Sequence, residues 1–382
     1  MMIRMYEHSQ LFTGDLEHKA FEVPDLSEQN DVNLNLKSQP RLIGFGGEHA
    51  VYEFTKRGQD DMYSDVVMKV NRHQIWLAIR STYEHIRSGV DPITWDDQVR
   101  KQRILFRKLR AFFEPYEFLS TKFFVYPLPI NQNLIEWACE DKMIDDESYL
   151  DVVLELNKGL PPESSEMSSF LDTRISVPIM IQKRYTPHVD DISIHLPYVS
   201  AVMLQPQIVS NLFTKAVTDP TYSLRDLQHF YESTGIPTTV INRFCAEMQD
   251  EKKSIPARDF FERIIKSCIE TGFIMDFVGR GNIIMRNGER GYHGMLVDAF
   301  HGTYEAMLNN WGDFMHTLDQ VGLEKKDDTI SSLLGVMNVM QFILVINAIA
   351  GTLDIDPDMR IQVEPSRATA ALVEETNIFF EN

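Results

Sequence analysis

The sequence predicts an α+β protein, with a smaller strand-rich part first and a larger, mainly helical part second. Three observations predict it. Between Arg41 and Val70, three short β-type runs, "RLIGFGG", "HAVYEFTK" and "SDVVMKV", are separated by turn chemistry, the pattern of an antiparallel meander. From about residue 198 the apolar residues recur at helical spacing instead. One isolated pair of β runs, "GNIIMRNGERGYHGMLVDAF", interrupts those helices and reads as a hairpin around Asn287-Gly288.

Residues 1–38 are polar and read as an arm, with structure starting near Arg41. After the meander come two helical patterns, "HQIWLAIRSTYEHIRSG" and "TWDDQVRKQRILFRKLRAFFEPYEF". In the second, Val99, Ile104, Leu105, Leu109 and Phe112 fall near helical spacing, Thr94 is the expected N-cap and Pro115 the stop. Strands resume with "KFFVYPLPI", "SYLDVVLEL" and "ISVPIMIQKRY". The later helices are "PQIVSNLFTKAV", "SLRDLQHFYEST", "TTVINRFCAEMQ", "PARDFFERIIKSCIETG", "YEAMLNNWGDFMHTLDQVG" and residues 333–353. This gives an N-terminal lobe over 39–188 and a helical C-terminal lobe over 189–382, joined near 182–190.

Charge and cysteine usage narrow the function classes. Lys plus Arg number 37 against 56 Asp plus Glu, a net charge of −19, which disfavours nucleic-acid binding because phosphate contact needs a cationic surface. Cys139, Cys245 and Cys268 are far apart and suit reduced thiols. Glu7, His8 and Asp15 break the apolar run a Sec signal would need, so a cytoplasmic location is expected. The 333–353 segment carries Asn338, Gln341, Asn347 and two glycines, which fits a buried helix better than a membrane span.

The chemistry-bearing positions begin with Gly44, Gly46 and Gly47 in "LIGFGGEHAVYEF". A strand follows them, so neither a Rossmann turn nor a P-loop fits; what remains is a glycine-rich hairpin tip whose backbone N–H groups can approach phosphate. Shortly afterwards, Lys69 lies in the apolar run "VVMKV", where a lysine is costly without an anion. Some two hundred residues on, "FIMDFVGRGNIIM" and "HGMLVDAF" supply Asp276, Arg280, Asn282 and Asp298.

In that order, Gly44-x-Gly46 with Val51, the Val66-Val67-Met68-Lys69 strand, and the Asn282 and Asp298 positions resemble the protein kinase-like fold, in its atypical bacterial and aminoglycoside-phosphotransferase-like branch. The resemblance implies a two-lobed fold, antiparallel β-rich then mainly helical, with ATP and Mg²⁺ as cofactors and a protein or small-molecule hydroxyl as acceptor. It implies Lys69 on the nucleotide phosphates, Asn282 and Asp298 on metal and Asp276 as base; Arg280 in the same loop reads either as neutralising phosphate charge or as capping local carbonyls. Backbone groups from Gln182 to Tyr185 would meet the nucleotide base, and Glu84 or Asp97 would partner Lys69. The glycine loop, Lys69 and Asp298 would then line one cleft. His49 replaces the family's third loop glycine, and Phe277 occupies the base position with Asp276 one residue earlier. A pseudokinase scaffold, a nucleotidyltransferase and a nucleotide-free interaction protein are the alternatives.

Blander readings apply elsewhere. His293 and His301 read as ordinary hydrogen-bonders, Cys268 as a buried inert thiol, the run "RKQRILFRKLR" as a solvated helix face, and the methionines near 335–340 as core filler.

Overall fold

A computed structural model of the chain describes residues 40–45, 49–55, 63–119, 121–129, 174–196, 206–277, 279, 281–297 and 330–363, together with Leu134 and Ala138. The expected arm, the strand at 148–156 and the helix at 304–322 lie outside the described residues. The described residues form two compact units, one from 40–106 and 121–185, the other from 107–119 and 186 onward.

The first unit is built on a five-stranded antiparallel sheet of order β1-β2-β3-β5-β4. Its strands are β1 (Pro40–Phe45), β2 (His49–Thr55), β3 (Tyr63–Asn71), β4 (Thr121–Pro129) and β5 (Arg174–Lys183). The alternation along each strand decides the faces. Ala50, Tyr52, Met68, Val70, Ile175, Val177, Ile179 and Ile181 point one way and form a core with Ile75, Trp76, Ala78 and Ile79 of helix α1 (Arg72–Ser88). Helix α1 follows β3 without a loop. Asn71 caps it by accepting from the Gln74 amide at 3.3 Å, and Gly89 closes it at φ 69°, a left-handed conformation that glycine adopts at little cost.

Helix α2 (Asp96–Arg110) has Trp95 at its cap position, one residue after the expected Thr94. The first helical carbonyl is that of Trp95, which accepts from the Val99 amide at 2.9 Å. Asp96 and Asp97 then occupy the first turn and Arg107, Lys108 and Arg110 the last, a distribution the helix dipole favours. Val99, Leu105 and Leu109 are buried as expected, but Phe106 and Phe113 are buried where Ile104 and Phe112 had been expected. Nor is the cationic run wholly a solvated face. Arg103 donates to the Phe123 carbonyl through Nε and Nη2, at 2.9 and 2.6 Å, and lies over the Phe124 ring.

The second unit contains helices α3 (Pro206–Thr218), α4 (Leu224–Ser233), α5 (Thr239–Glu247), α6 (Glu251–Thr271) and α7 (Ile330–Thr352), with a three-stranded sheet β6-β7-β8. Helix α6 begins five residues before Pro256, the expected start, because Asp250 caps it by accepting from the Lys252 amide. In α7, residues 339–350 are all buried, and its polar members are satisfied in place. The Asn347 amide donates to the carbonyls of Ala216 and Ile361 at 3.0 and 2.8 Å, while its oxygen accepts from the Ile361 amide at 3.1 Å. Among the described residues, no helix is long and apolar enough to cross a membrane.

Strand β6 is Ile192–Ser193, β7 is Ile283–Gly288 and β8 is Gly291–Leu296. The β7–β8 hairpin turns at Glu289-Arg290, two residues beyond the expected Asn287-Gly288, since Asn287 pairs with Tyr292 and Gly288 with Gly291. Gly291 has φ 87°, so it supplies the left-handed residue that the turn needs.

Candidate functional site

Two groups of side chains carry the candidate chemistry, one in each unit. In the first, the sheet register sets a row across four strands. Gly44 pairs with Val51, Val51 with Lys69 and Lys69 with Met180. β1 and β2 are antiparallel neighbours on either side of residues 46–48. Gly44 itself lies inside β1, beside a register shift between Leu42 and Gly44, where a residue without Cβ suits a bulge. Gly46 and Gly47 are outside the described residues, and His49 is the first residue of β2.

Lys69 points to the sheet face opposite the α1 core and is only 9% exposed. The partners expected for it are engaged elsewhere. Glu84 accepts from Arg80 at 3.0 Å, Asp97 from Arg100 at 2.7 Å, and both carboxylates are exposed. Glu53 is the acid that sequence reasoning missed. On β2, two positions along from Lys69's partner Val51, it pairs with Val67 of β3, so it shares the Lys69 face, and it is 3% exposed. Its signal was present in "HAVYEF", where the alternation puts Val51 and Glu53 on one side, but a glutamate in a half-apolar strand reads as solvent-facing.

Gln182 does not belong to the lobe linker. It lies in β5 with β3 on one side and β4 on the other, pairing with Val67 and Thr121. Its backbone groups therefore face neighbouring strands rather than a ligand. Its buried side chain joins the Lys69 face, Nε2 donating to Thr121 Oγ1 at 3.4 Å. Tyr185 does lie past the end of β5 and is half-buried.

The second group sits between α6 and β7. Gly272 ends α6 at φ 70°, and residues 273–275 run buried into Asp276. The Asn282 Nδ2 group donates to Asp276 Oδ2 at 2.7 Å, and Asp276 Oδ1 accepts from the Gly279 amide at 3.1 Å. A Cβ on Gly279 would lie 2.1 Å from Asn282 Nδ2 and 2.8 Å from Asp276 Oδ2, so the pair closes over a position that only glycine allows. Phe277 is core, 1% exposed and packed on the Phe342 ring with centroids 5.9 Å apart. Adjacent residues thus face opposite ways, Phe277 inward and Asp276 to Asn282.

Asn282 is also tied to the hairpin, its carbonyl accepting from the Val297 amide at 2.8 Å. Asp298 follows Val297 directly and, with Arg280, lies outside the described residues. Among the described residues no three His, Cys, Asp or Glu side chains gather as a metal cluster. His293 packs edge-on against Tyr116, with Nδ1 3.0 Å from the Gly291 carbonyl. Cys268 is fully buried, which raises its thiol pKa strongly and suits an inert group.

Compared with known proteins, the chain matches no family model, no curated protein and no solved structure.

Proposed function

We propose that the chain is an ATP- and Mg²⁺-dependent phosphotransferase of the protein kinase-like class, acting on a hydroxyl of a protein or small molecule. The observation that carries this reading is the orientation of Asn282. Both acceptors beside its amide, the Asp276 carboxylate and the Asp276 carbonyl, require an N–H donor, so Nδ2 faces Asp276 and Oδ1 is turned away from it. A carboxamide oxygen held in this way, with Asp298 as a second oxygen donor, suits a hard cation. Mg²⁺ would be held by these two residues and would supply charge neutralisation of the nucleotide phosphates.

The chain's own groups would do the rest. Asp276 orients the acceptor hydroxyl and takes its proton, a step worth about 10²–10⁴-fold. Lys69, a cation kept in an apolar strand, binds phosphate oxygens, and Arg280 adds positive charge near the transferring group. Titration calorimetry with ATP, with and without Mg²⁺, tests the reading, followed by mass spectrometry for phosphate or nucleotidyl addition. Tight Mg²⁺-dependent binding that Lys69→Met weakens at least about tenfold, roughly one charge-assisted contact, is expected; absence of binding refutes it.

One observation favours a second reading. Phe277, at the family's base position, is core, which suits a pseudokinase that binds nucleotide without turnover. Binding without transfer, unaffected by Asp276→Asn, would select it.

A further inference from the structure

We infer that Ser193 is a positioning residue for the loop carrying Asp276 and Asn282, and that its tether governs how well that loop takes Mg²⁺-nucleotide; this second half rests on the phosphotransferase reading.

Several bonds among the described residues of 276–282 lie within the loop. Gly279 N–H donates to Asp276 Oδ1, Asn282 N–H to the Gly279 carbonyl at 3.3 Å, and Asn282 Nδ2 to Asp276 Oδ2. Such bonds hold the loop's internal shape but not its place. The loop's end is placed by the Asn282 carbonyl, which accepts from the Val297 amide at 2.8 Å, and two further bonds come from the segment at 192–196. The Leu196 amide donates to the Phe277 carbonyl at 2.8 Å, fixing the loop's beginning. Its second half is fixed by a side chain, Ser193 Oγ, which accepts from the Gly281 amide at 2.8 Å across 88 residues of sequence.

Ser193 suits that task because its own position is set. Ile192, Ile194 and Leu196 on alternate positions are buried, Ser193 pairs with Ile284, and the Ile194 amide donates to the Ile283 carbonyl at 2.8 Å. Strand alternation then brings Ser193 out on the loop's side. Gly281 has φ 90°, a conformation with few local constraints, and it directly precedes Asn282. Without the hydroxyl, the Gly281 amide turns to solvent, and the Asn282 backbone keeps its bond to the Val297 amide but loses the anchor on its N-terminal side. The cost falls on the orientation of Asn282 Oδ1, hence on the metal, rather than on nucleotide contacts made elsewhere.

Two measurements on the full chain test this, with Ser193→Ala and Ser193→Thr. Hydrogen exchange followed by mass spectrometry on peptides spanning 276–282 reads the tether directly. Ser193→Ala is expected to speed exchange there and Ser193→Thr, which keeps an Oγ acceptor, to restore it; unchanged exchange in Ser193→Ala overturns the tether. Mg²⁺ titration of ATP binding reads the consequence. An increase of about 2- to 10-fold in the Mg²⁺ concentration required, the range one hydrogen bond is worth, is expected for Ser193→Ala, with metal-free ATP affinity unchanged and rescue by Ser193→Thr. Faster exchange with unaltered Mg²⁺ dependence reduces Ser193 to a structural residue and overturns the functional half. A wild-type chain that takes no Mg²⁺-ATP overturns that half together with the phosphotransferase reading, and the exchange arm still decides the tether.

Discussion

Asn282→Asp probes the site without any assumption about substrate. In the wild type, Asn282 Nδ2 donates to Asp276 Oδ2 at 2.7 Å. The substitution keeps the shape but puts a second carboxylate oxygen where the donor was. Two full charges at 2.7 Å repel by about 6 kcal/mol at an effective dielectric of ~20, and one carboxyl will take up a proton to relieve it. That repulsion, partly relieved by protonation, leaves about 3–4 kcal/mol of lost stability at pH 7. The folded pKa is raised above the unfolded one, so the penalty is full above the raised pKa and fades as pH falls through it toward ordinary carboxylate values. The protonated carboxyl also regains a donor for the original bond. Urea unfolding at pH 5 and pH 7.5, followed by circular dichroism, is the assay, with Asn282→Ala as the uncharged control. Asn282→Asp should be strongly destabilised at pH 7.5 and largely recover at pH 5, while Asn282→Ala loses about 1–3 kcal/mol equally at both. Identical pH behaviour of the two variants would refute the contact.

Gly279→Ala should force the Asp276–Asn282 pair apart, costing about 1–3 kcal/mol and lowering the unfolding midpoint. Glu117 is buried at 1% exposure and receives Arg263 through Nε and Nη2; Glu117→Ala leaves a guanidinium without its carboxylate and should cost about 3–5 kcal/mol, read by urea unfolding. Asn347→Leu removes all three bonds that join α7 to Ala216 and Ile361, and calorimetry should register a loss of about 2–4 kcal/mol from the stranded backbone groups. Burial opposes ionisation of Asp226, but bonds from Lys215 and Ser223 outweigh it and hold the carboxyl below its usual value. Its contribution is therefore present above an ordinary carboxylate pKa and lost as pH falls through the lower folded one, so Asp226→Asn should flatten acid unfolding below about pH 4.

Sequence periodicity located most elements whose reasons are local. The β1–β3 meander, the lysine strand and α1 announce themselves because each has one apolar face of unambiguous period. Boundaries were less legible where two signals competed. Pro256 looks like a helix start, yet the Asp250 cap recruits five residues ahead of it. Asn287-Gly288 is a strong turn pair, yet Gly291 takes the left-handed position and moves the turn. At the candidate site, Asp276 and Asn282 were legible as a pair because the loop between them is short. Which of Asp276 and Phe277 faces Asn282 depended on the ring of Phe342, 65 residues away, and no spacing rule contains that. The side chain of Gln182 was missed for a similar reason: its burial on the Lys69 face follows from strand order β3-β5-β4, a long-range property.

The central proposal is that Asn282 presents its carboxamide oxygen to a nucleotide-bound cation while Lys69 holds phosphate. Titration calorimetry of the wild type, Lys69→Met and Asn282→Ala with ATP, each with and without Mg²⁺, tests it most directly. Lys69→Met should weaken binding under both conditions, whereas Asn282→Ala should weaken only the Mg²⁺-dependent part. Equal ATP binding by all three proteins, or none by the wild type, would contradict it.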